Sequence, residues 1–338
     1  MTVVGVAGLT AKFSQCVVKA LQEYPDMTIK GLCRSPQKLP QAAVRSYDIH
    51  VIQGEYDDED AAQALARGCD IVICCYYGNN DVMTRGQKIL IDACVKEGVP
   101  RYVPSDFAVD YTKIPDGELF PKESAKIIMK YLVEKKVMGV HVLVGALMET
   151  FWSPFFHIFD SSNETISYWG TGNEKWELTT YETAAAYTAA LIVDKNASGI
   201  FRFRGDCKSA VEIKASYERI YQSSLHLKRL GSLDELYSTV RRQFEEDPDD
   251  VMTWAPGGRT LSVKVIEHLA AEINPEKRHV LWAPKMQQVV HDLEFHASDN
   301  NIVDKEMALR KSESVIIAQG PRPAYSTHLA EILCDVLA

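Results

Sequence analysis

A glycine-rich turn near the N-terminus is the strongest indication of fold in this chain. An apolar run over 2–6 leads into Gly5 and Gly8, and Ala11 takes the third place at the same three-residue spacing. The first glycine permits a sharp turn from strand to helix, the second lets a pyrophosphate approach the backbone, and a small third residue allows close helix–strand packing. The helix start offers free N–H groups to phosphate. The turn therefore predicts a dinucleotide site made by Gly5, Gly8, Leu9, Thr10 and Ala11.

The first 145 residues alternate between apolar runs and amphipathic helical patterns. Apolar runs predict six strands, which begin near positions 2, 27, 50, 70, 101 and 140. The run over 70–77 is apolar almost throughout, which is typical of a parallel strand buried on both faces. We therefore predict an α/β protein in which a doubly wound parallel sheet, a Rossmann fold, carries a smaller C-terminal α/β substrate domain.

The second half of the chain gives weaker indications of organisation. We expect the dinucleotide-binding domain over 1–150 and a substrate domain mainly over 151–338, with a segment at about 179–205 returning to the Rossmann sheet. A turn-rich hairpin is predicted at 168–172, and the apolar stripe of a last helix at 327–337 should dock on the body.

Composition and charge narrow the classes of partner. A net charge of −9 without a long basic block argues against a nucleic-acid ligand. We find no apolar run near the ~20 residues of a membrane span and no signal-peptide pattern. The eight cysteines lack the paired spacing of metal ligands. We therefore expect no metal, no membrane contact and a reduced cytoplasmic protein.

The junction after the second predicted strand favours NADP(H) over NAD. Sites specific for NAD usually place an acidic residue there to bind the ribose 2′-OH. This chain has Arg34 at that point, with Lys38 close behind. Two cations and no carboxylate suit a 2′-phosphate, so NADPH/NADP+ is the predicted cofactor. The alternative is that both are solvated loop charges.

Residues after the fourth and fifth predicted strands are further candidates for the cofactor site. Ligands of open α/β sheets bind beyond the carboxyl ends of the strands. This rule points to Tyr76, Tyr77, Gly78 and Ser105. For each tyrosine taken alone, packing is the more common role.

Several short segments, by their order and spacing, resemble the NmrA-like and isoflavone reductase-like branch of the atypical short-chain dehydrogenases/reductases. They are GVAGLTA at 5–11, Arg34, QGEYD at 53–57, VPSDF at 103–107, Lys126, VEKK at 133–136 and METF at 148–151. The resemblance covers the first half and thins after about residue 205. One departure is SDFA at 105–108, where family members often have Ser-Glu-Phe-Gly.

The resemblance implies an NADP-dependent oxidoreductase, namely a reductase that transfers hydride from NADPH to an aromatic or conjugated small molecule such as a ketone, enone or benzylic ether. It also implies a catalytic lysine in the helix after the fifth strand, and that position falls on Lys126. Hydride transfer builds negative charge on oxygen, which a partly desolvated lysine stabilises and protonates. The alternative is an NmrA-type regulator, which senses dinucleotide and binds a protein partner without turnover.

Other residues remain open as site candidates. Tyr131 and Lys135 form a Y-x-x-x-K pair, the acid/base pair of typical short-chain dehydrogenases, although the expected upstream serine is missing. His157 is a weaker candidate for a second proton donor. A homodimer is a candidate for the assembly of this chain. Aromatic and apolar side chains line most small-molecule pockets, so the candidates for substrate contact are Phe107, Met148, Phe151 and Trp152.

Overall fold

The computed structural model describes residues 1–40, 44–45, 47–117, 122–153 and 158–246. The helix predicted at 327–337 and His157 lie outside these residues. The strands are β1 Thr2–Ala7, β2 Met27–Cys33, β3 His50–Gln53, β4 Ile71–Cys74, β5 Arg101–Val103, β6 Met138–Leu143, β7 Ala146–Leu147, β8 Phe159–Asp160, β9 Thr165–Trp169, β10 Lys175–Thr179, β11 Gly199–Arg202, β12 Asp206–Ser209 and β13 His226–Gly231. The helices are α1 Lys12–Leu21, α2 Glu59–Ala66, α3 Gln87–Glu97, α4 Glu123–Lys135, α5 Met148–Phe151, α6 Tyr181–Val193, α7 Ala210–Tyr221 and α8 Leu233–Glu246.

A seven-stranded sheet organises the described part of the chain. Its strand order is β11-β6-β5-β4-β1-β2-β3, and every pairing within it is parallel. The strand order reverses at β1, so β2 and β3 lie on one side of this strand and the other four strands lie on its other side. This arrangement confirms the predicted Rossmann-like α/β fold.

Both faces of the sheet are covered by helices. Strand side chains such as Val4 and Ile73 pack on one face with α1 and α6, and strand side chains such as Val72 and Tyr102 pack on the other with α2, α3 and α4. Strands buried on both faces need apolar residues at nearly every position, which explains the uninterrupted run of β4.

The segment after β10 rejoins the main sheet. Helix α6 is rich in alanine and packs against α1, and β11 then pairs with β6 at the edge of the sheet. The buried guanidinium of Arg101 on β5 donates to the carbonyls of Leu191, Ile192 and Asp194 at the end of α6. Burial lowers the pKa of Arg101. This contact joins the helix to the centre of the sheet.

Two small sheets complete the described structure. One has the order β12-β10-β7 and the other β13-β9-β8. The predicted hairpin at 168–172 is wrong, because β9 and β10 flank this segment but pair in different sheets. Gly170 and Gly172 both adopt positive φ (83° and 85°), and the Glu174 carboxylate accepts the N–H groups of Thr171 and Gly172. The resulting turn carries the chain from one sheet to the other. No helix within the described residues is long and apolar enough to cross a membrane.

Candidate active site

The turn after β1 lies at the carboxyl edge of the sheet. Gly8 has a positive φ of 82°, and its N–H donates to the Leu32 carbonyl at 2.9 Å. A Cβ at this position would stand 2.9 Å from the Cys75 carbonyl oxygen and 3.2 Å from the Tyr76 ring. Gly8 therefore lets the turn close directly onto the ends of β2 and β4.

The first turn of α1 keeps its amides uncapped. Ala11 is the N-cap residue, and among the described residues this helix start has no side-chain cap. The Ser14 hydroxyl lies 2.7–2.9 Å from the carbonyl oxygens of Gly8, Leu9 and Ala11, and so braces the loop from beneath. Free N–H groups at a helix start are a ready site for an anion. Sequence reasoning missed Ser14, although a serine inside an apolar helix start was a usable signal.

Gly5 and Leu9 have packing roles that differ from the expected ones. Gly5 lies inside β1, between Lys30 and Val72 of the neighbouring strands, so the sharp turn begins at Gly8 rather than at Gly5. A Cβ on Gly5 would stand 3.1–3.3 Å from Val72, Cys69 and Leu65. The turn cannot begin at Gly5, because β1 continues to pair with β2 and β4 as far as Ala7. The Leu9 side chain is 2% exposed and packs in the core.

Arg34 and Lys38 are exposed at the carboxyl end of β2. Arg34 directly follows the strand, and Lys38 ends a short 3-10 turn at Pro36–Lys38. The Gln53 side chain donates to the Arg34 carbonyl at 3.4 Å, which joins this junction to the end of β3. The two cations thus stand beside the glycine turn in an aqueous setting.

The ends of β4 and β5 are joined by Ser105. Its hydroxyl donates to the Tyr76 carbonyl at 2.6 Å, and its N–H donates to the buried side chain of Gln87 at 3.0 Å. The Tyr76 side chain is largely buried, which raises the pKa of its hydroxyl. The neighbouring Tyr77 is 52% exposed. A Cβ on Gly78 would stand 2.9 Å from Val82, so close packing explains this glycine. Sequence reasoning missed Gln87, which gave no local signal.

An aromatic group stands at the same edge. The ring centroid of Phe107 lies 4.4 Å from that of Phe13 in the first turn of α1, and Tyr181 at the start of α6 lies 6.0 Å from Phe13. The Glu149 carboxylate accepts the N–H of Tyr181 at 2.8 Å, which anchors the start of α6 here. The structure therefore brings Phe107 to the first turn of α1, together with Phe13 and Tyr181, which sequence reasoning missed.

The other substrate candidates are core residues of the second lobe, which is the part of the described structure around the two small sheets. Met148, Phe151 and Trp152 are 0%, 1% and 1% exposed. Phe151 and Trp152 stack edge-on at 5.2 Å, and they contact Trp176 and Phe159. The structure thus shows a packing role for all three, and their contact with substrate stays a prediction.

Lys126 lies in the first half of α4 and faces the loop that follows β5. Its Nζ donates to the Pro115 carbonyl at 2.8 Å and contacts carboxylate oxygens of Glu123 at 3.0 Å and Asp116 at 3.4 Å. The side chain is only 9% exposed. A lysine held in this way is a preorganised cation with little water around it.

The rival Tyr131 and Lys135 face α3 instead. The Tyr131 hydroxyl lies 2.9 Å from both carboxylate oxygens of Asp92, and Lys135 Nζ lies 2.7 Å from one of them. The two side chains therefore make their contacts between α3 and α4, and not at the glycine turn.

Comparison with known proteins decides the family. The family model described as "NmrA-like family" matches residues 1–231, which is more than half of the chain. This chain belongs to the NmrA-like family. The match confirms the resemblance that the short segments indicated.

The chain is similar in sequence to an oxidoreductase, and reductases are among the solved structures of the same fold. Oxidoreductase aprR of Aspergillus flavus is 26% identical over 210 residues, which make up 59% of this chain and 66% of the relative. The chain thus aligns with slightly less than two-thirds of that relative. Leucoanthocyanidin reductase of Vitis vinifera in complex with NADPH has a TM-score of 0.64 at 15% identity, covering 87% of this chain and 99% of that one. Isoflavone reductase has a TM-score of 0.63 at 17% identity, with coverage of 86% and 99%. Both structures show a shared fold.

Proposed function

We propose that this NmrA-like protein is an NADPH-dependent reductase that transfers hydride to an aromatic or conjugated small molecule, such as a ketone, enone or benzylic ether. The observation that carries the proposal is one edge of the sheet, where an uncapped helix start, the Gly8 turn and the exposed Arg34 lie together. The names of its relatives support the reaction class, since they include an oxidoreductase and an isoflavone reductase. Another structure of the same fold is AtPrR2 with NADP+ and (+)pinoresinol.

The residues present fit a dinucleotide. The N–H groups of the first turn of α1 would bind the pyrophosphate, because no side chain occupies them. Arg34 and Lys38 would bind the 2′-phosphate, and the segment 27–40 holds no acidic residue to repel it. Tyr76, Tyr77 and Ser105 would flank the middle of the cofactor.

When bound, the cofactor supplies the hydride, and the chain supplies position and charge. Lys126 would hold a proton at Nζ and direct it at the substrate oxygen that gains negative charge. Its contacts with Pro115 and Glu123 orient the ammonium before the reaction, and its burial strengthens its field. Phe107 and Phe13 would form an apolar wall that keeps water from the reacting atoms.

Nucleotide binding is the first test of the proposal. We would titrate the protein with NADPH, NADP+, NADH and NAD+ in a calorimeter. Arg34→Ala should weaken NADPH binding at least tenfold and leave NADH binding nearly unchanged, because a phosphate–guanidinium contact of about 1.5–3 kcal/mol is lost. Lys195→Ala is the matched control, since it removes an exposed cation after α6, at the opposite edge of the sheet. Equal losses for NADPH and NADH would remove the 2′-phosphate argument.

Turnover is the second test. NADPH oxidation would be followed against a panel of aromatic ketones, enones and benzylic ethers. Lys126→Ala should lower kcat about 100-fold or more, since a positioned acid/base group contributes roughly 100- to 10,000-fold. Lys130→Ala should not, although it removes a cation that also contacts Asp116, because its side chain is 72% exposed. An unchanged rate in Lys126→Ala would refute this role.

A regulator is the second candidate, and the burial of Met148, Phe151 and Trp152 favours it. Side chains packed in a core are not available to line a substrate pocket. Tight binding of both oxidation states with no turnover across the panel would select this candidate, and a search for the protein partner would follow.

We also propose a cytoplasmic location and a homodimer. The cysteines of the described residues are all free, as in proteins from reducing compartments. Cell fractionation and analytical ultracentrifugation test the two statements.

A further inference from the structure

A buried polar network joins β5, β6 and the loop between β5 and α4. The His141 Nδ1 atom on β6 lies 2.6 Å from the Asp106 carboxylate, just after β5. The Tyr111 hydroxyl donates to the same carboxylate oxygen at 3.0 Å. The side chains of Asp106 and His141 are 1% and 6% exposed, and Tyr111 is fully buried. These three residues are called the buried network below.

The loop that carries two of these residues also holds the proposed catalytic lysine. The loop runs from Ser105 to Gly117. Near its far end, the Pro115 carbonyl and the Asp116 carboxylate contact Lys126 Nζ at 2.8 and 3.4 Å. The Gly117 N–H donates to the Glu123 carboxylate at 3.0 Å, and that carboxylate in turn contacts Lys126. The ammonium therefore depends on the loop for its partners.

The buried network fixes this loop at the other end. The Tyr111 ring packs with Ala125, the residue directly before Lys126, and with Leu143 on β6. Gly139 on the same strand leaves room for the His141 ring, because a Cβ there would stand 2.6 Å from Nε2. A continuous path of contacts thus runs from a rigid strand through Asp106 and Tyr111 to the start of α4.

We propose that the buried network of Asp106, His141 and Tyr111 is a positioning device for Lys126, which sets the loop 105–117 so that its carbonyl and carboxylate groups orient the ammonium. The proposal rests on the proposed function. These residues act through the loop and do not touch the reacting atoms. An apolar cluster of equal volume would stabilise this site at least as well as a buried carboxylate. The polar network instead specifies one geometry, since the carboxylate meets its partners in a single arrangement of the loop.

The test removes one oxygen atom from the network. Tyr111→Phe keeps the buried ring and removes the hydroxyl, which donates to Asp106 and lies 3.5 Å from His141 Nδ1. The matched control is Tyr217→Phe, because the Tyr217 hydroxyl donates to the Glu164 carboxylate at 3.1 Å in the second lobe. Both variants lose a phenol–carboxylate bond. The bond at Tyr217 is partly buried, so this variant controls for the loss of such a bond at a site remote from Lys126.

The first readout needs no substrate. The folded protein would be treated briefly with acetic anhydride, and acetylation of Lys126 would be measured by mass spectrometry relative to Lys130 on the same helix. Tyr111→Phe should raise this ratio about fivefold, the factor to which one lost hydrogen bond corresponds. Tyr217→Phe should leave the ratio unchanged. An unchanged ratio in Tyr111→Phe would overturn the proposal.

The second readout separates this inference from the proposed function. With an active substrate, Tyr111→Phe should lower kcat about fivefold and leave the Kd for NADPH unchanged. His141→Asn keeps an N–H donor for Asp106 and should retain most of the activity, whereas His141→Leu should not. A raised acetylation ratio without turnover of any panel substrate would support the positioning role and count against the reductase. Turnover with an unchanged ratio would support the reductase and overturn the positioning role.

Discussion

Replacement of Gly8 by alanine tests the glycine turn in the most direct way. Two effects add at this position. The backbone has a φ of 82°, which an L-residue adopts at a cost of about 1 kcal/mol. The new Cβ would also stand 2.9 Å from the Cys75 carbonyl oxygen and 3.0 Å from its carbon. Both atoms belong to the backbone, so neither can rotate away.

The magnitude follows from a comparison with Gly68. Gly68 has a similar φ of 71°, but no atom lies within 4 Å of its Cβ position. Gly68→Ala should therefore show the conformational term alone, about 1 kcal/mol. Gly8→Ala adds an overpacking term of about 1–3 kcal/mol, so its total should reach about 2–4 kcal/mol.

Urea unfolding at 25 °C, followed by circular dichroism, measures both free energies. The m-values should agree among the three proteins, because the surface exposed on unfolding is the same. Calorimetry should show weaker NADPH binding for Gly8→Ala alone, since a shift of the turn moves the amides of α1. Equal losses of stability in the two variants would refute the reasoning, as would unimpaired NADPH binding by Gly8→Ala.

Three further predictions concern contacts around the sheet. Arg101→Met should lower the free energy of unfolding by about 3 kcal/mol, since buried carbonyls at the end of α6 lose their donor; a loss below 1 kcal/mol in urea would contradict this. Ser14→Ala should lower NADPH affinity and stability by about 1 kcal/mol, because its hydroxyl braces the turn, and calorimetry that shows wild-type affinity would argue against the brace. Backbone N–H groups lower the pKa of Glu174 from 4.5 to about 2, so its stabilising effect exists above pH 4.5 and is lost as pH falls through 2. Glu174→Gln should therefore unfold at a lower temperature than the wild type at pH 7, and the two curves should converge near pH 2; a difference that persists there would refute the assignment.

The regular elements follow from local sequence patterns. The predicted starts of β2 and β3, near positions 27 and 50, agree with the structure. Hydrophobic periodicity and breakers act over a few residues, so a reader of the sequence alone can use them. The parallel order of the sheet also followed, because alternating strands and helices allow few other arrangements.

Contacts between distant segments decided the rest. Whether Gly5 ends β1 or lies inside it depends on ladder partners in β2 and β4, which the local sequence does not name. The glycines at 170 and 172 predicted a turn correctly, but not which sheets the turn connects. Asp106 and His141 are 35 residues apart, and only the pairing of the strands brings them together.

By itself, the sequence determined the fold class, the family and the glycine turn at the strand ends. Each rests on a pattern that can be read along the chain, namely hydrophobic periodicity, the order of short segments and the glycine spacing. Only the tertiary structure decided that Met148, Phe151 and Trp152 pack in a core and that Lys126 is bound to the loop after β5. The physical reason is that burial and hydrogen-bond partners are properties of packed surfaces, which form only when segments far apart in the chain meet.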